Sequence, residues 1–281
     1  MRTIVLAALL ASASAAAAQE PFNWQGRIAA GKEIEIKGVI GDVRATAATG
    51  SEVQVSATRQ RGRHGNPQDV QIRVVEHEGG VTICSVYPGR GSNPSNQCDN
   101  GGGRDSNRAN RDSNRDSNDT RVNFTVRVPA GVRFVGRTVV GDMDATGLRS
   151  DVDASTVSGN TRVSTTGTVR ATSVSGDVEM STTGYGDAST VSGDITATLG
   201  RGSWPEPLDF RTVSGKITLT LPATTAAQVR AQSMTGRIQS DFPLEIDQRR
   251  MQARATGTLG RGGRPLNLQT LSGDIRLRRA S

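Results

Sequence analysis

The chain has 281 residues, of which 34% are hydrophobic and 3% aromatic, with 33 glycines, a composition too lean for a thick globular core. Lys and Arg number 34 against 27 Asp and Glu, for a net charge of +7. Beyond the first eighteen residues no stretch is long and apolar enough for a transmembrane helix, and no zinc motif, nucleophile elbow or phosphate loop is present.

The first residues read as an export signal. Met1-Arg2 supplies a basic start, residues 4–10 an apolar run, and Ala16-Ala17-Ala18 a small-residue cleavage site before Gln19. A leader over 1–18 is therefore expected, and the lack of a cysteine at the cleavage site argues against a lipoprotein anchor. The mature protein is expected in the periplasm, outside the cell or at its surface.

After the leader, a β segment over 19–140 is expected to run on into a β-repeat segment over 141–281, as one domain of about 30–280. Apolar alternation at Ile34 and Ile36, Val53 and Val55, Val70, Ile72 and Val74, and Val81 and Ile83 predicts strands. They read as hairpins capping one end of the repeat. Cys84 and Cys98 flank a loop of 13 residues, and in an oxidising compartment they are expected to form a disulfide. Two isolated thiols lack the spacing of a zinc or redox pair.

A polar loop follows over 88–120. Between Asp99 and Thr120 it becomes a low-complexity tract with three Arg-Asp-Ser-Asn units, and its one apolar side chain, Ala109, cannot offset the entropy of ordering. A mobile, solvated insertion is predicted, since neither an EF-hand nor a nonapeptide calcium repeat fits the spacing. Order resumes where Val122, Phe124, Val126 and Val128 alternate with polar residues, before a turn at Pro129-Ala130-Gly131.

From there one phrase recurs. Val157-Ser158-Gly159-Asn160-Thr161, Val174-Ser175-Gly176-Asp177-Val178 and Val191-Ser192-Gly193-Asp194-Ile195 place their glycines 17 residues apart. Leu208 to Leu219, around Gly215, aligns 58 residues on with Leu266 to Leu277, around Gly273. Weaker copies lie at Gly41, Gly141 and Gly236. Alternation on both sides of the glycine marks two short strands joined at a bend, with each copy stacking on the one before it about 4.8 Å along an axis. The expected fold is all-β, a β-solenoid or rolled repeat sheet. Its corners are Gly141, Gly159, Gly176, Gly193, Gly215, Gly236 and Gly273. The aliphatic residues flanking each corner are expected to fill a thin core, and Thr156, Ser173 and Thr190 to stack inside it and hydrogen-bond one another.

Three features bear on function. Asn160, Asp177 and Asp194 should stack at successive corners, with Asp142 one step further. Lys216 and Arg237 at the same position argue against a cation ladder and for a simple turn role. Arginines gather late, as Arg249, Arg250, Arg254, Arg261, Arg264, Arg276, Arg278 and Arg279, opposed only by Asp274. Such guanidinium groups suit an anion-contact patch for lipopolysaccharide, acidic envelope glycans or extracellular DNA, or guard an edge strand against aggregation. Intracellular nucleic acid is not expected as a partner. Asp142 with Asp144, and Asp151 with Asp153, are same-face acid pairs of the kind a polysaccharide-cleaving solenoid uses, although strand alternation alone produces them. His64 and His77 lie on polar stretches and are expected in solvent.

Val128-Pro129-Ala130-Gly131-Val132, the serial Thr-Val-Ser-Gly-Asp-Ile units and the closing Thr270-Leu271-Ser272-Gly273-Asp274-Ile275 together resemble the bacterial putative-adhesin family, a β-strand-repeat domain of unknown function. The resemblance covers roughly 30–280. It implies a secreted or envelope-associated β-repeat fold with an adhesive role, and it brings no catalytic residues, cofactor or metal. The sequence therefore favours a noncatalytic binding or structural module that contacts envelope glycans, lipopolysaccharide or a protein, over a carbohydrate-active solenoid enzyme.

Overall fold

The computed structural model describes residues 21–89, 96, 98, 118–249 and 252–280. The leader over 1–18, the Arg-Asp-Ser-Asn units apart from Asn118, and Arg250 lie outside the described residues. Apart from a short 3-10 turn at Pro67–Asp69, the regular elements among the described residues are strands, in one sheet of 11 and one of 12.

One repeat makes one coil of a two-sheet solenoid. Val152–Ser158 lies in the larger sheet, Gly159-Asn160 turns the corner, and Thr161–Thr165 lies in the smaller sheet. Seventeen residues on, Val169–Thr172 and Val178–Thr182 repeat the path, pairing parallel as Val152↔Val169 and Thr161↔Val178. Gly186–Ser189 with Ile195–Leu199, and Leu208–Ser214 with Ile217–Leu221, continue both ladders. Val, Ile and Thr dominate because β-branched side chains suit a pleated, half-buried surface. Inward positions such as Ala154, Val163, Ala171, Met180 and Ile195 are fully covered. The slot between the sheets is narrow, so Ala and Val suffice where a thicker core would need aromatics.

Naming each coil by its corner glycine, the order along the axis is Gly41, Gly141, Gly159, Gly176, Gly193, Gly215, Gly273 and Gly236. Stacking of each copy on the preceding one thus holds from Gly41 to Gly215 and fails at the far end, where the Gly273 coil precedes the Gly236 coil. At the far end, Glu245–Arg249 and Gln252–Leu259 form an antiparallel hairpin on the outer edge of Ala227–Ser233. With that edge covered, the last coil enters on the inner side, between the Gly215 and Gly236 coils, and Leu208 pairs directly with Leu266. The 58-residue offset between these two copies is therefore a direct strand pairing.

The near end follows the same plan. Glu33–Lys37 and Val43–Ala47 sit inside, between Arg133–Val140 with Met143–Leu148 on one side and Gly80–Val86 with Arg121–Val128 on the other. The strands expected as capping hairpins therefore divide into two groups. Val53–Gln60 and Gln71–His77 pair antiparallel on the end, whereas Ile34 and Ile36 belong to a complete coil. Both sheets run through positions 140 and 141 without interruption.

In the outermost coil the chain passes from Gly80–Val86 to Arg121–Val128 by a longer connection. Cys84 and Cys98 are joined in a disulfide with Cα atoms 5.8 Å apart, and Asn96 returns to the strand by accepting from the Tyr87 N–H and donating to the Ser85 carbonyl. The end of the polar tract is packed: Asn118 and Thr120 are buried, and the Asp119 carboxylate accepts from the Arg63 and His64 amides. Those hydrogen bonds, chiefly the one from His64, hold the Asp119 carboxyl below the ordinary carboxylate range. Hydrogen bonding orders these last residues where apolar burial does not.

The corners explain the phrase. Gly141, Gly159, Gly176, Gly193, Gly215 and Gly273 have φ between +148° and +157°, and a Cβ on any of them would overlap the preceding coil's corner carbonyl. Gly236 has the same crowding without the positive φ. Those carbonyls have specific partners. The Thr156, Ser173 and Thr190 hydroxyls donate to the Gly141, Gly159 and Gly176 oxygens at 2.9–3.0 Å, rather than to one another. Thr138, Thr212, Thr270 and Ser233 extend the ladder. Beside it, each post-glycine side chain caps the next coil: the amides of Asn160, Asp177, Asp194 and Lys216 donate to Oδ1 of Asp142, Asn160, Asp177 and Asp194 at 2.7–3.0 Å.

One expectation about the core is reversed. Aliphatic residues after each corner are buried, but those before it, Val157, Val174, Val191, Val213, Leu271 and Met234, are 42–51% exposed. Alternation requires this. The inward position beside the corner is taken by the hydroxyl that the glycine carbonyl needs, so the next residue points outward.

Candidate functional site

The outer face of the larger sheet carries a charged groove across the Gly141 to Gly215 coils. Two adjoining hollows of about 220 and 250 Å³ share Arg170 and Asp187 as walls. Period-two alternation sets the charges there, since Val152, Ala154, Val169 and Ala171 face the core and leave Asp153, Ser155, Arg170 and Thr172 outside. Arg133 reaches Asp153 at 3.5 Å, Arg170 reaches Asp187 at 3.8 Å and Arg211 reaches Asp209 at 2.8 Å. Tyr185 and Glu206 complete one wall.

The carboxylates are held by more than ion pairs. Asp187 Oδ1 accepts the Asp209 amide at 2.9 Å, Asp151 accepts the Thr168 amide at 2.7 Å, and Asn267 donates to Asp209 at 3.0 Å. Burial pushes the Asp187 carboxyl above the ordinary carboxylate range, against the pull of the Asp209 amide and Arg170. The groove is thus a row of guanidinium–carboxylate pairs running from coil to coil.

Residues 175–278 match the family described as Toastrack DUF4097. That match takes in the Ser-Gly-Asp units from Gly176 to Gly273, and the solenoid is the fold of the toastrack segment. Three crystal structures are similar over nearly the whole chain. A putative adhesin from Bacteroides fragilis NCTC 9343 has 12% identity and a TM-score of 0.39, covering 93% of this chain and 98% of that one. A putative cell adhesion protein from Clostridium sporogenes ATCC 15579 has 10% identity and a TM-score of 0.35, covering 93% and 100%. A putative adhesin from Parabacteroides distasonis ATCC 8503 has 12% identity and a TM-score of 0.32, covering 92% and 97%. No curated protein matches the chain.

Within the toastrack segment the late arginines are spread around the end of the solenoid. Arg276 and Arg278 lie on the smaller sheet, Arg249 and Arg254 on the hairpin of the larger sheet, and Arg261 and Arg264 at the turn between Gln252–Leu259 and Pro265–Ser272. Arg249 pairs with Asp247 at 3.0 Å, and Arg279 stacks 5.2 Å over the Phe242 ring while its amide meets Asp241. Arg276 buries its Nε without a hydrogen-bond partner among the described residues.

The members of each acid pair have separate partners. Asp142 caps a corner while Asp144 faces Arg44 at 3.9 Å, and Asp151 caps a turn while Asp153 faces Arg133. His64 is exposed, but His77 is not simply in solvent. Its Nε2 meets the buried Thr82 hydroxyl at 3.1 Å, and Thr82 donates to Glu35, which is 8% exposed and also takes Arg137 at 3.2 Å. The alternation Glu33-Ile34-Glu35-Ile36-Lys37 places Glu35 on the outer face; what the sequence does not reveal is that Thr82 and Arg137 would flank it there. Among the described residues no cluster of three or more His, Cys, Asp or Glu could hold a metal, and no helix is long and apolar enough to cross a membrane.

Proposed function

We propose that the chain is a noncatalytic, exported binding module of the adhesin type whose charged groove takes an acidic envelope polysaccharide. The observation that carries this reading is the arrangement of Arg133, Arg170 and Arg211, which stand on every second strand of one sheet in an oblique line, each two residues further along its strand than the one before and roughly 12 Å from it. Each is held in place by a carboxylate. An extended chain of carboxylates or phosphates lying obliquely across the strands could exchange those pairings at every second coil, forming paired hydrogen bonds with each guanidinium. Asp153, Asp187 and Asp209 are each engaged by a guanidinium group, which suits recognition of an acidic ligand. The Cys84–Cys98 disulfide supports an oxidising compartment, in the periplasm or at the cell surface.

The test is a titration of the full chain against acidic and neutral polysaccharides and against native envelope fractions. Binding to acidic glycans that weakens with salt is expected, with Arg170→Ala plus Arg211→Ala lowering affinity about tenfold or more while the circular dichroism stays unchanged. Binding to proteins alone, or salt-insensitive binding, would overturn the glycan reading. Release of shortened oligosaccharides would establish an enzyme instead.

A further inference from the structure

The exposed aliphatic row before the corners has no role in the fold or in the groove. From Val139 to Met234 it places one large aliphatic side chain on each of seven neighbouring coils, 36–51% exposed. Strand spacing fixes its length at about 30 Å and makes it straight. We propose that this row is a self-association surface, on which a second copy of the chain docks row against row.

Two observations point to a second copy. A straight row of near-identical knobs at one repeat distance is matched best by the same row, as an isologous interface requires. The seven side chains expose on the order of 500 Å² per copy, so two rows would bury roughly 1,000 Å² together, near the lower limit of a stable interface and above the usual apolar patch of a monomer.

Sedimentation velocity of the full chain tests this. A dimer is expected at concentrations up to about 100 μM, and Val157→Thr, Val174→Thr, Val191→Thr and Val213→Thr together should give a monomer with unchanged circular dichroism, because threonine keeps the β-branched shape. A wild-type monomer throughout that range, or a dimer that survives the four substitutions, would overturn the proposal.

Discussion

At the corner of the Gly193 coil, a hydroxyl and a carboxylate each take a backbone group that the bend would otherwise leave unpaired. Thr190 gives the Gly176 oxygen its donor, and Asp177 gives the Asp194 amide its acceptor. Replacing Thr190 by the isosteric valine should cost about 1–2 kcal/mol, because the carbonyl stays buried without a partner. Asp177→Asn should change stability by less than about 0.5 kcal/mol, since the carbonyl oxygen of Asn160 already serves one coil earlier. Urea unfolding of both variants checks this, and a neutral Thr190→Val would mean that the hydroxyl ladder is incidental. The turn role of the post-glycine acid could be read from the sequence, because Lys216 and Arg237 stand where others have Asp. Its capping of the neighbouring coil could not, since the capped amide belongs to a residue at least 17 positions away.

The strand and its corner were the most readable units, and the alternation at Leu208, Phe210, Thr212, Ile217 and Leu219 specifies buried positions that the structure fills. What alternation cannot say is which apolar residues lie outside, because Val157 and Val163 look alike until the hydroxyl between the corner and the core is assigned. The long loop is a different element, pinned at its base by Cys84–Cys98, Asn96 and Tyr87. The Tyr87 hydroxyl donates to the Thr120 carbonyl at 2.6 Å, and burial pushes its pKa up to about 12. Cys98→Ser should lower stability by up to about 3 kcal/mol through the added freedom of the unfolded chain. Protease cleavage is expected to increase between 86 and 120 first, with the Gly159 to Gly215 coils still protected in hydrogen exchange. Uniform loss of protection would instead make the bridge part of the solenoid's own stability.

Over the full length of the solenoid, the order of coils departs from the order of the chain at both ends, and no local pattern foretells it. The identity between Leu208 to Leu219 and Leu266 to Leu277 was visible, but adjacency of the two copies depends on the hairpin over 245–259 covering the opposite edge. A chain ending at residue 262 should therefore lose far more than one coil. Leu208, Phe210, Ile217 and Leu219 would lose their neighbours at 266–277, and the Gly236 coil would be left without a parallel partner. A lowered, broadened thermal transition with binding of a hydrophobic dye is expected. A sharp transition within a few degrees of the intact chain would show that the two coils can close the gap themselves.

The interposed last coil also determines how the molecule bears tension. Ile275–Arg279 is bonded to a strand on each side, so a pull on the C-terminus loads two rows of hydrogen bonds in shear rather than peeling an edge strand one bond at a time. The same holds at the other end once Phe22–Gly26 has come away, because Glu33–Lys37 is likewise clamped between two neighbours. A body fastened at one end and held by a ligand on its face would be gripped through its interior coils, with its outermost strands carrying little of the load.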